Sequence, residues 1–203
     1  MQNNISLKPD FSYEKKIGGI ILGIDEVGRG CIAGPVVVAG VILNDNIDTL
    51  QINDSKKLTP SKREKIFTYL KEHCHYLIES SSVEEIEEMN ILQASLLAMR
   101  RVINNIEHKF DYVFVDGNIS PDKSMDNIST IVGGDSKSLS IATASIFAKV
   151  TRDRFMDKLD QDYPHYLWRQ NKGYGTKQHI DAIKKFGITP YHRKSFLKKI
   201  IGK

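Results

Sequence analysis

Carboxylates that follow apolar, strand-like segments are the residues of this chain best suited to chemistry. Asp25 and Glu26 directly follow one apolar run, Asp116 ends another, and Asp135 follows two glycines just before a predicted helix. Carboxylates gathered in one pocket repel each other unless a cation neutralises them, and Mg²⁺ and Mn²⁺ prefer such oxygen ligands. Two of these ions about 3.5–4 Å apart can activate a water against a phosphodiester. Taken singly, each residue is better explained as a turn residue or a helix cap, which suits Asp135 well.

A glycine-rich loop follows the first two carboxylates. Gly28, Gly30 and Gly34 superficially match a dinucleotide-binding fingerprint, but that motif must open a helix, and here a second apolar strand begins at Pro35. A dinucleotide site is therefore excluded. Beside a metal site the same loop has another use, because glycine backbone can approach a sugar closely and Arg29 can bind a phosphate through two hydrogen bonds.

Apolar patterning predicts strands that would position these residues. The strand-like segments are 19–24, 35–43, 76–80, 112–115 and 131–132. The short glycine turn after the first segment favours a hairpin with the second. If the first and fourth segments are neighbours, Asp25 and Asp116 lie side by side beyond the strand ends, where α/β proteins bind ligands.

Helical periodicity occupies most of the chain after the hairpin. A helix is predicted to start at Thr59-Pro60, with Cys74 on its apolar face, and a long helix carries Ile91 to Ile106. Further helices are predicted from a Ser138 or Ser140 cap through Leu159, between Thr176 and Gly187, and over 192–201. Hairpin strands followed by alternating strands and helices predict an α/β fold with a mixed sheet.

Composition places the chain among globular proteins. It has 203 residues, of which 40% are hydrophobic and 27% charged. The two cysteines, Cys31 and Cys74, do not form a disulfide framework, and the first sixteen residues show no signal peptide. The longest apolar stretch, Val36 to Leu43, is far short of the roughly 20 residues that a membrane span needs. These features predict a cytoplasmic protein without membrane association.

Basic residues concentrate at the C-terminal end. Of the 29 Lys and Arg residues, 13 lie within residues 151–203, together with only 5 of the 25 acidic residues. Clustered Lys and Arg bind polyanions by releasing counterions from phosphates, so this end is a candidate nucleic-acid surface. A solvated helix explains the charge equally well. The candidate side chains are Lys172, Lys177, Arg193, Lys194, Lys198 and Lys199.

Several motifs, in one order along nearly the whole chain, resemble the ribonuclease HII family, the type 2 ribonucleases H. The first is GIDEVGRG at 23–30, followed by AGPV at 33–36. The others are NDSKKL at 53–58, VDGN at 115–118, GDSKS at 134–138, ASIFAKVTRD at 144–153, KGYGT at 172–176 and HRKSF at 192–196.

The resemblance implies a ribonuclease H-like three-layer fold, with a central mixed sheet flanked by helices and a basic C-terminal helical extension. The implied division is an N-terminal segment at 1–16, a catalytic core at 17–162 and the extension at 163–203. The implied activity is that of a metal-dependent endonuclease that hydrolyses the RNA strand of RNA–DNA hybrids, including single ribonucleotides in duplex DNA. The resemblance also implies cleavage that leaves a 3′-hydroxyl and a 5′-phosphate, with Mn²⁺ or Mg²⁺ as the cofactor.

The family's metal-binding and catalytic carboxylates map onto Asp25, Glu26, Asp116 and Asp135. Asp153 is the one competing candidate for the fourth position, but it lies within a predicted helix between two arginines. The implied substrate-binding residues are Gly28, Arg29 and Gly30 at the 2′-hydroxyl side, Tyr174 on the sugar, and Lys56, Lys137 and Lys172.

The expected partners are an RNA–DNA hybrid and ribonucleotide-containing duplex DNA. The chain is expected to be a monomer, and no motif in it indicates a protein partner. Two alternatives are weaker. The intact carboxylate set argues against a non-catalytic hybrid-binding module, and a junction resolvase would leave the glycine loop and the KGYGT segment without a purpose.

Overall fold

Five strands form one mixed sheet in the order β3-β2-β1-β4-β5. The computed structural model describes residues 8–44, 47–49, 52 and 55–201. The strands are β1 (Ile21–Val27), β2 (Val36–Leu43), β3 (Cys74–Ser81), β4 (Tyr112–Asp116) and β5 (Ile128–Ile131). β1 pairs antiparallel with β2 and parallel with β4, while β3 and β5 take the two edges. The predicted hairpin and the mixed sheet are confirmed.

Seven α-helices cover the described part of the chain around this sheet. They are α1 (Ser12–Ile17), α2 (Pro60–Lys71), α3 (Val83–Asn105), α4 (Leu139–Asp162), α5 (Trp168–Asn171), α6 (Lys177–Phe186) and α7 (Lys194–Ile201). Side-chain hydroxyls cap three of them as the sequence predicts, from Thr59, Ser138 and Thr176. None of the described helices has the length and apolar character that a membrane span needs.

The sheet is buried on both faces, which produces three layers. On one face Val37, Ala39 and Val41 of β2 pack against α2 and α4. On the other face Leu22 and Ile24 of β1 pack with residues of β2, β4 and α3. Successive strand residues alternate between these two clusters, as the pleat of a strand requires.

Several boundaries differ from the sequence-based predictions, and two of them have the same cause. β1 continues through Asp25 and Glu26, which pair with Ala39 and Val38 of β2, so both carboxylates belong to the strand instead of following it. Cys74 begins β3 and does not extend α2. In each case hydrogen bonds to a neighbouring strand decide the boundary, and such long-range pairing is absent from the local periodicity that the predictions used.

The N-terminal helix is attached to the start of α4 by one buried carboxylate. Oε1 of Glu14 accepts hydrogen bonds from the hydroxyls of Ser138 and Ser140 and from the Ser140 amide. Glu14 is 8% exposed. A carboxylate at a helix N-terminus is favourable because it meets the positive end of the helix dipole.

The C-terminal helices pack onto the glycine loop and the second half of α4. Trp168 is fully buried, so it packs in the core, as its position among the last helices predicts, and does not face a ligand. The members of this cluster are Ile32, Ala33, Met156, Leu159, Tyr166, Trp168, Ala182, Ile183 and Leu197. The division of the chain into an N-terminal segment, a catalytic core and a C-terminal extension, with boundaries at 16/17 and 162/163, stays a prediction.

A hydrogen-bonded histidine pair lies inside this cluster. Nδ1 of His192 accepts the Thr189 amide at 2.9 Å, so the neutral ring carries its proton on Nε2 and donates it to Nε2 of His179 at 3.1 Å. Nε2 of His179 also accepts from Nε1 of Trp168 at 3.0 Å. The His179 proton therefore sits on Nδ1 and is donated to the Tyr174 carbonyl at 2.9 Å.

Acid is expected to destabilise the protein through this pair. Burial and the neighbouring His179 lower the pKa of His192 to about 4, from 6.5 in the unfolded chain. The unfolded state binds more protons between these values, so the stability from neutral His192 is complete above pH 6.5 and is lost as the pH falls toward 4. Melting temperatures between pH 7 and 4.5 should fall less steeply for His192→Gln than for wild type. The matched change at an exposed histidine, His165→Gln, should leave the slope unchanged, and equal slopes for all three proteins would contradict this assignment.

Candidate active site

Two of the predicted carboxylates lie on adjacent parallel strands. Ile24 of β1 is in register with Val115 of β4, so Asp25 and Asp116 occupy the next position on each strand at the same end of the sheet. Adjacent strands lie about 4.8 Å apart, which brings the two side chains together as predicted. Glu26 follows on β1, and the charge of Asp116 acts on both β1 carboxylates.

Asp135 joins this group through the loop after β5. It lies in a single 3₁₀ turn, Gly134–Ser136, and the turn's first amide, from Gly134, donates to Oδ1 of Asp116 at 2.7 Å. The Asp135 charge in turn acts on Asp116. Asp153 has a different partner. Its carboxylate accepts a hydrogen bond at 2.8 Å from Nζ of Lys149, one turn away on α4. The geometry therefore favours Asp135 as the fourth carboxylate.

The site is electrostatically unfavourable for its own carboxylates. Burial raises the pKa of Asp25 well above its usual value, and the neighbouring charges of Glu26 and Asp116 raise it further. Burial also raises the pKa of Glu26, which a hydrogen bond from Arg29 only partly offsets. Burial also raises the pKa of Asp116, although the hydrogen bond that it accepts from the Gly134 amide acts in the opposite direction. A buried anionic pocket of this kind calls for a cation.

Two cationic side chains reach into the pocket from its solvent side. Nη1 of Arg29 contacts Oε1 of Glu26 at 3.0 Å, and Nζ of Lys56 contacts Oδ2 of Asp135 at 2.8 Å. The carboxylates are nearly buried, with exposed side-chain fractions of 10% and 8%, whereas those of Arg29 and Lys56 are 48% and 74%. The ion pairs are therefore half-open to water, where such contacts are weak.

The donor set fits hard divalent cations. All four side chains offer oxygen, the ligand that Mg²⁺ and Mn²⁺ prefer, and Oε2 of Glu26 is buried without a hydrogen-bond partner among the described residues. In the present side-chain arrangement, with Arg29 and Lys56 in place, no three acidic, His or Cys side chains of the described residues converge as a ready-made metal cage. Occupation by an ion requires the side chains of Glu26 and Asp135 to exchange these cationic partners for the metal.

Replacing Asp25 by Asn is expected to stabilise the metal-free protein. The pKa of Asp25 is 3.8 in the unfolded chain and is raised in the folded protein. As the pH rises between these two values, the unfolded state loses its proton first, so the stability of the fold decreases. Above the folded-state pKa this unfavourable contribution is complete. In EDTA at pH 7.5 the variant should melt several degrees above wild type. Millimolar Mn²⁺ should raise the melting temperature of wild type and leave that of Asp25→Asn unchanged. A variant that melts below wild type in EDTA would contradict this account.

The glycine loop is shaped by two buried arginines that the sequence analysis did not identify as such. Arg152 and Arg193 are each 0% exposed. The expectation that Arg193 follows a nucleic-acid backbone is therefore wrong, because its guanidinium lies in the interior and not on the basic surface. For Arg152 a signal existed, since Ala148, Arg152 and Met156 recur at helical spacing on the buried face of α4. For Arg193 only the fold shows the burial.

Different features of the structure explain why glycine occurs at two positions of this loop. At Gly28, where φ is +107°, a Cβ would overlap Nε of Arg152 and lie 2.8 Å from the Pro35 carbonyl oxygen. At Gly30 a Cβ would meet no atom of the described residues within 4 Å, its chain neighbours apart. The backbone of Gly30 does not require glycine either, because its φ is not positive. Packing within the chain thus explains Gly28, whereas the small size of Gly30 keeps open a surface that a ligand can approach.

The KGYGT segment is tied directly to the glycine loop. The Gly173 carbonyl accepts the amides of Ile32 and Ala33, which places Tyr174 beside the loop with 45% of its surface exposed. Lys172 is paired with Asp157. Lys137, on the Asp135 loop, donates to the Val132 carbonyl at 2.6 Å. Lys199 lies among residues whose side chains are outside the described set.

Comparisons with known proteins identify the family of this chain. A profile of the family described as Ribonuclease HII matches residues 22–199. A curated Ribonuclease HII from Wolbachia pipientis subsp. Culex pipiens is 51% identical over 189 residues, which cover 93% of this chain and 95% of that protein.

Solved structures share the fold. The ribonuclease H2 of Pyrococcus horikoshii superimposes with a TM-score of 0.75 at 28% identity, covering 90% of this chain and 97% of that one. The RNase HII in a complex with PCNA from Archaeoglobus fulgidus has a TM-score of 0.73 at 26% identity, over 86% and 93% of the two chains. The expected ribonuclease H-like fold is confirmed. The chain belongs to the ribonuclease HII family, whose members are metal-dependent nucleases.

Proposed function

We propose that the protein is an endoribonuclease that hydrolyses the RNA strand of RNA–DNA hybrids and cuts at single ribonucleotides embedded in duplex DNA. One observation carries the proposal: Asp25, Glu26, Asp116 and Asp135 interact electrostatically as one largely buried carboxylate cluster, and the loop that follows Glu26 has its Gly30 open to a ligand. The cluster supplies a metal site, and the loop supplies a surface where backbone meets a sugar. The products are a 3′-hydroxyl and a 5′-phosphate.

The four carboxylates are proposed as metal ligands, and two divalent ions are proposed to act together. Asp25, Glu26, Asp116 and Asp135 would hold the ions, which would activate a water and neutralise charge at the scissile phosphate. The chain contributes mainly by preorganisation. The Gly134 amide orients Asp116 at 2.7 Å, and the Glu26 amide orients Asp25 at 2.7 Å, so neither carboxylate is free to rotate away.

Recognition of the ribonucleotide is assigned to the glycine loop and to Tyr174. The 2′-hydroxyl distinguishes RNA from DNA and can both donate and accept a hydrogen bond. Gly30 gives backbone groups access to that oxygen, because it has no side chain of its own to shield them. Tyr174, which is 45% exposed beside the loop, is proposed to stack on the sugar.

Two exposed cations have a further role when a nucleic acid binds. Arg29 and Lys56 lie at the mouth of the carboxylate pocket and contact Glu26 and Asp135 through ion pairs half-open to water. A phosphate offers both cations a stronger, charge-assisted partner. We infer that they exchange the carboxylates for substrate phosphates as ions enter the site.

Cleavage mapping on defined duplexes tests the proposed function. A DNA duplex with one embedded ribonucleotide, a full RNA–DNA hybrid and an all-DNA duplex are incubated with Mn²⁺, Mg²⁺ or EDTA, and the products are mapped to the nucleotide. The expected result is a metal-dependent cut on the 5′ side of the ribonucleotide and no cut in the all-DNA duplex. Binding without cleavage would indicate a non-catalytic hybrid-binding module, and cleavage of ribonucleotide-free DNA would indicate a resolvase.

The expectation of a monomer without a protein partner stays a prediction. The archaeal RNase HII mentioned above was solved with PCNA bound, so a protein partner is compatible with this fold. Light scattering of the purified chain, alone and with a hybrid, measures the oligomeric state directly.

A further inference from the structure

The two buried arginines behind the glycine loop have no carboxylate partner among the described residues. Burying a guanidinium is costly unless hydrogen bonds replace its hydration. Burial and the nearby charge of Arg152 lower the pKa of Arg193 to about 10, which leaves it charged at neutral pH. The compensation comes from backbone carbonyls of the loop.

Arg193 binds three carbonyls on one side of the loop. Its Nε and Nη2 donate to the Gly34 oxygen at 2.9 and 2.7 Å. Its Nη1 donates to the carbonyls of Cys31 at 2.8 Å and Arg29 at 3.2 Å. One rigid, planar guanidinium thus binds three carbonyls of one short loop, a geometry that a Lys ammonium group does not reproduce.

Arg152 binds the other end of the same loop and joins it to the KGYGT segment. Its Nε and Nη2 donate to the carbonyls of Pro35 and Ala33, each at 2.9 Å. Its Nη1 donates to the Lys172 carbonyl at 2.8 Å. Between them the two guanidiniums turn the carbonyls of five loop residues toward the interior.

The orientation of one peptide plane follows from these contacts. In a trans peptide the C=O of one residue and the N–H of the next point in opposite directions, and no described peptide bond is cis. Because Arg193 draws the Arg29 carbonyl inward, the Gly30 amide points outward. Within the described part of the chain neither the Arg29 nor the Gly30 amide donates to an acceptor, whereas the amides from Cys31 to Gly34 are all bonded.

We propose that Arg193, supported by Arg152, is a positioning residue that aims the Gly30 amide at the substrate. This inference rests on the proposed function, because it assigns the outward amide to the bound ribonucleotide. Both arginines are fully buried, so neither guanidinium is accessible to a substrate. Arg193 orients one donor at the place where Gly30 leaves room for a ligand.

A comparison of two affinities tests the proposal. Fluorescence anisotropy in EDTA gives the affinity of each protein for an RNA–DNA hybrid and for the all-DNA duplex of the same sequence. Arg193→Lys keeps the charge but cannot bind the three carbonyls in the geometry of a guanidinium. We therefore expect the preference for the hybrid over the DNA duplex to fall about tenfold, with the affinity for DNA nearly unchanged. A general loss of folded protein would weaken both affinities equally. The control Arg154→Lys, at an exposed arginine of the same helix α4 that pairs with Glu64, should keep the full preference.

A second measurement applies if Arg193→Lys does not fold, as judged by its circular dichroism. Amide hydrogen exchange of wild type should show fast exchange at Gly30 and slow exchange from Cys31 to Gly34, with Gly30 becoming protected in the hybrid complex. A folded Arg193→Lys protein with undiminished preference overturns the proposal, and so does a Gly30 amide that is already protected in the free protein. A wild type that neither prefers nor cleaves the hybrid would overturn the proposed function and this inference together.

Discussion

Replacing Asp116 by Asn is expected to lower the single-turnover rate of hybrid cleavage by about 1000-fold, the scale on which removing one preorganised charged or polar group acts. Asn keeps the size of the side chain and an oxygen that can accept the Gly134 amide, which contacts Oδ1 of Asp116 at 2.7 Å. The fold should therefore survive. What is lost is the negative charge between Asp25 and Asp135 that helps to hold a cation.

Hybrid binding by Asp116→Asn should stay within a few-fold of wild type, because phosphate contacts supply most of the affinity for nucleic acids. Asp126→Asn, at an exposed position in the loop that leads to β5, is the matched control and should cleave normally. Quench-flow rates at saturating enzyme and anisotropy titrations measure the two quantities separately. An Asp116→Asn rate within tenfold of wild type would exclude the assigned role.

The second large effect is expected from alanine at two glycines only two residues apart. Gly28→Ala places a Cβ against Arg152 at a backbone φ of +107°, so strain and overlap should destabilise the fold by about 3 kcal/mol. The Cβ of Gly30→Ala would lie more than 4 Å from every described residue beyond its chain neighbours, so this variant should melt like wild type. Its methyl group instead occupies the space proposed for the sugar, so hybrid cleavage should fall about 100-fold, as misplacement by about 1 Å can cause.

Thermal melting and cleavage of the two variants therefore give opposite patterns. Gly28→Ala should fail mainly in stability, and Gly30→Ala mainly in activity. If Gly30→Ala cleaves the hybrid at the wild-type rate, Gly30 does not face the substrate, and the assignment of the loop to the ribonucleotide is wrong. If Gly28→Ala has the same melting temperature as wild type, the description of Arg152 as closely packed on the loop is wrong.

The sequence by itself was sufficient for three helix starts and for the expectation that Asp25 and Asp116 are neighbours. Helix starts at Thr59, Ser138 and Thr176 were predictable because a cap is a contact between a side chain and an amide three residues later. The neighbourhood of Asp25 and Asp116 was predictable because two apolar runs that end in carboxylates fit adjacent strands of one sheet.

Only the tertiary structure decided which charged residues are buried and what they hold. Arg193 belongs to a basic segment in the sequence, yet its guanidinium binds carbonyls from the other end of the chain. Glu14 precedes the sheet and stabilises the start of α4, and β1 extends through Glu26 because β2 lies beside it. The physical reason is common to all three. Periodicity and capping report interactions within a few residues, whereas the burial of a charge depends on partners that only the folded chain brings into contact.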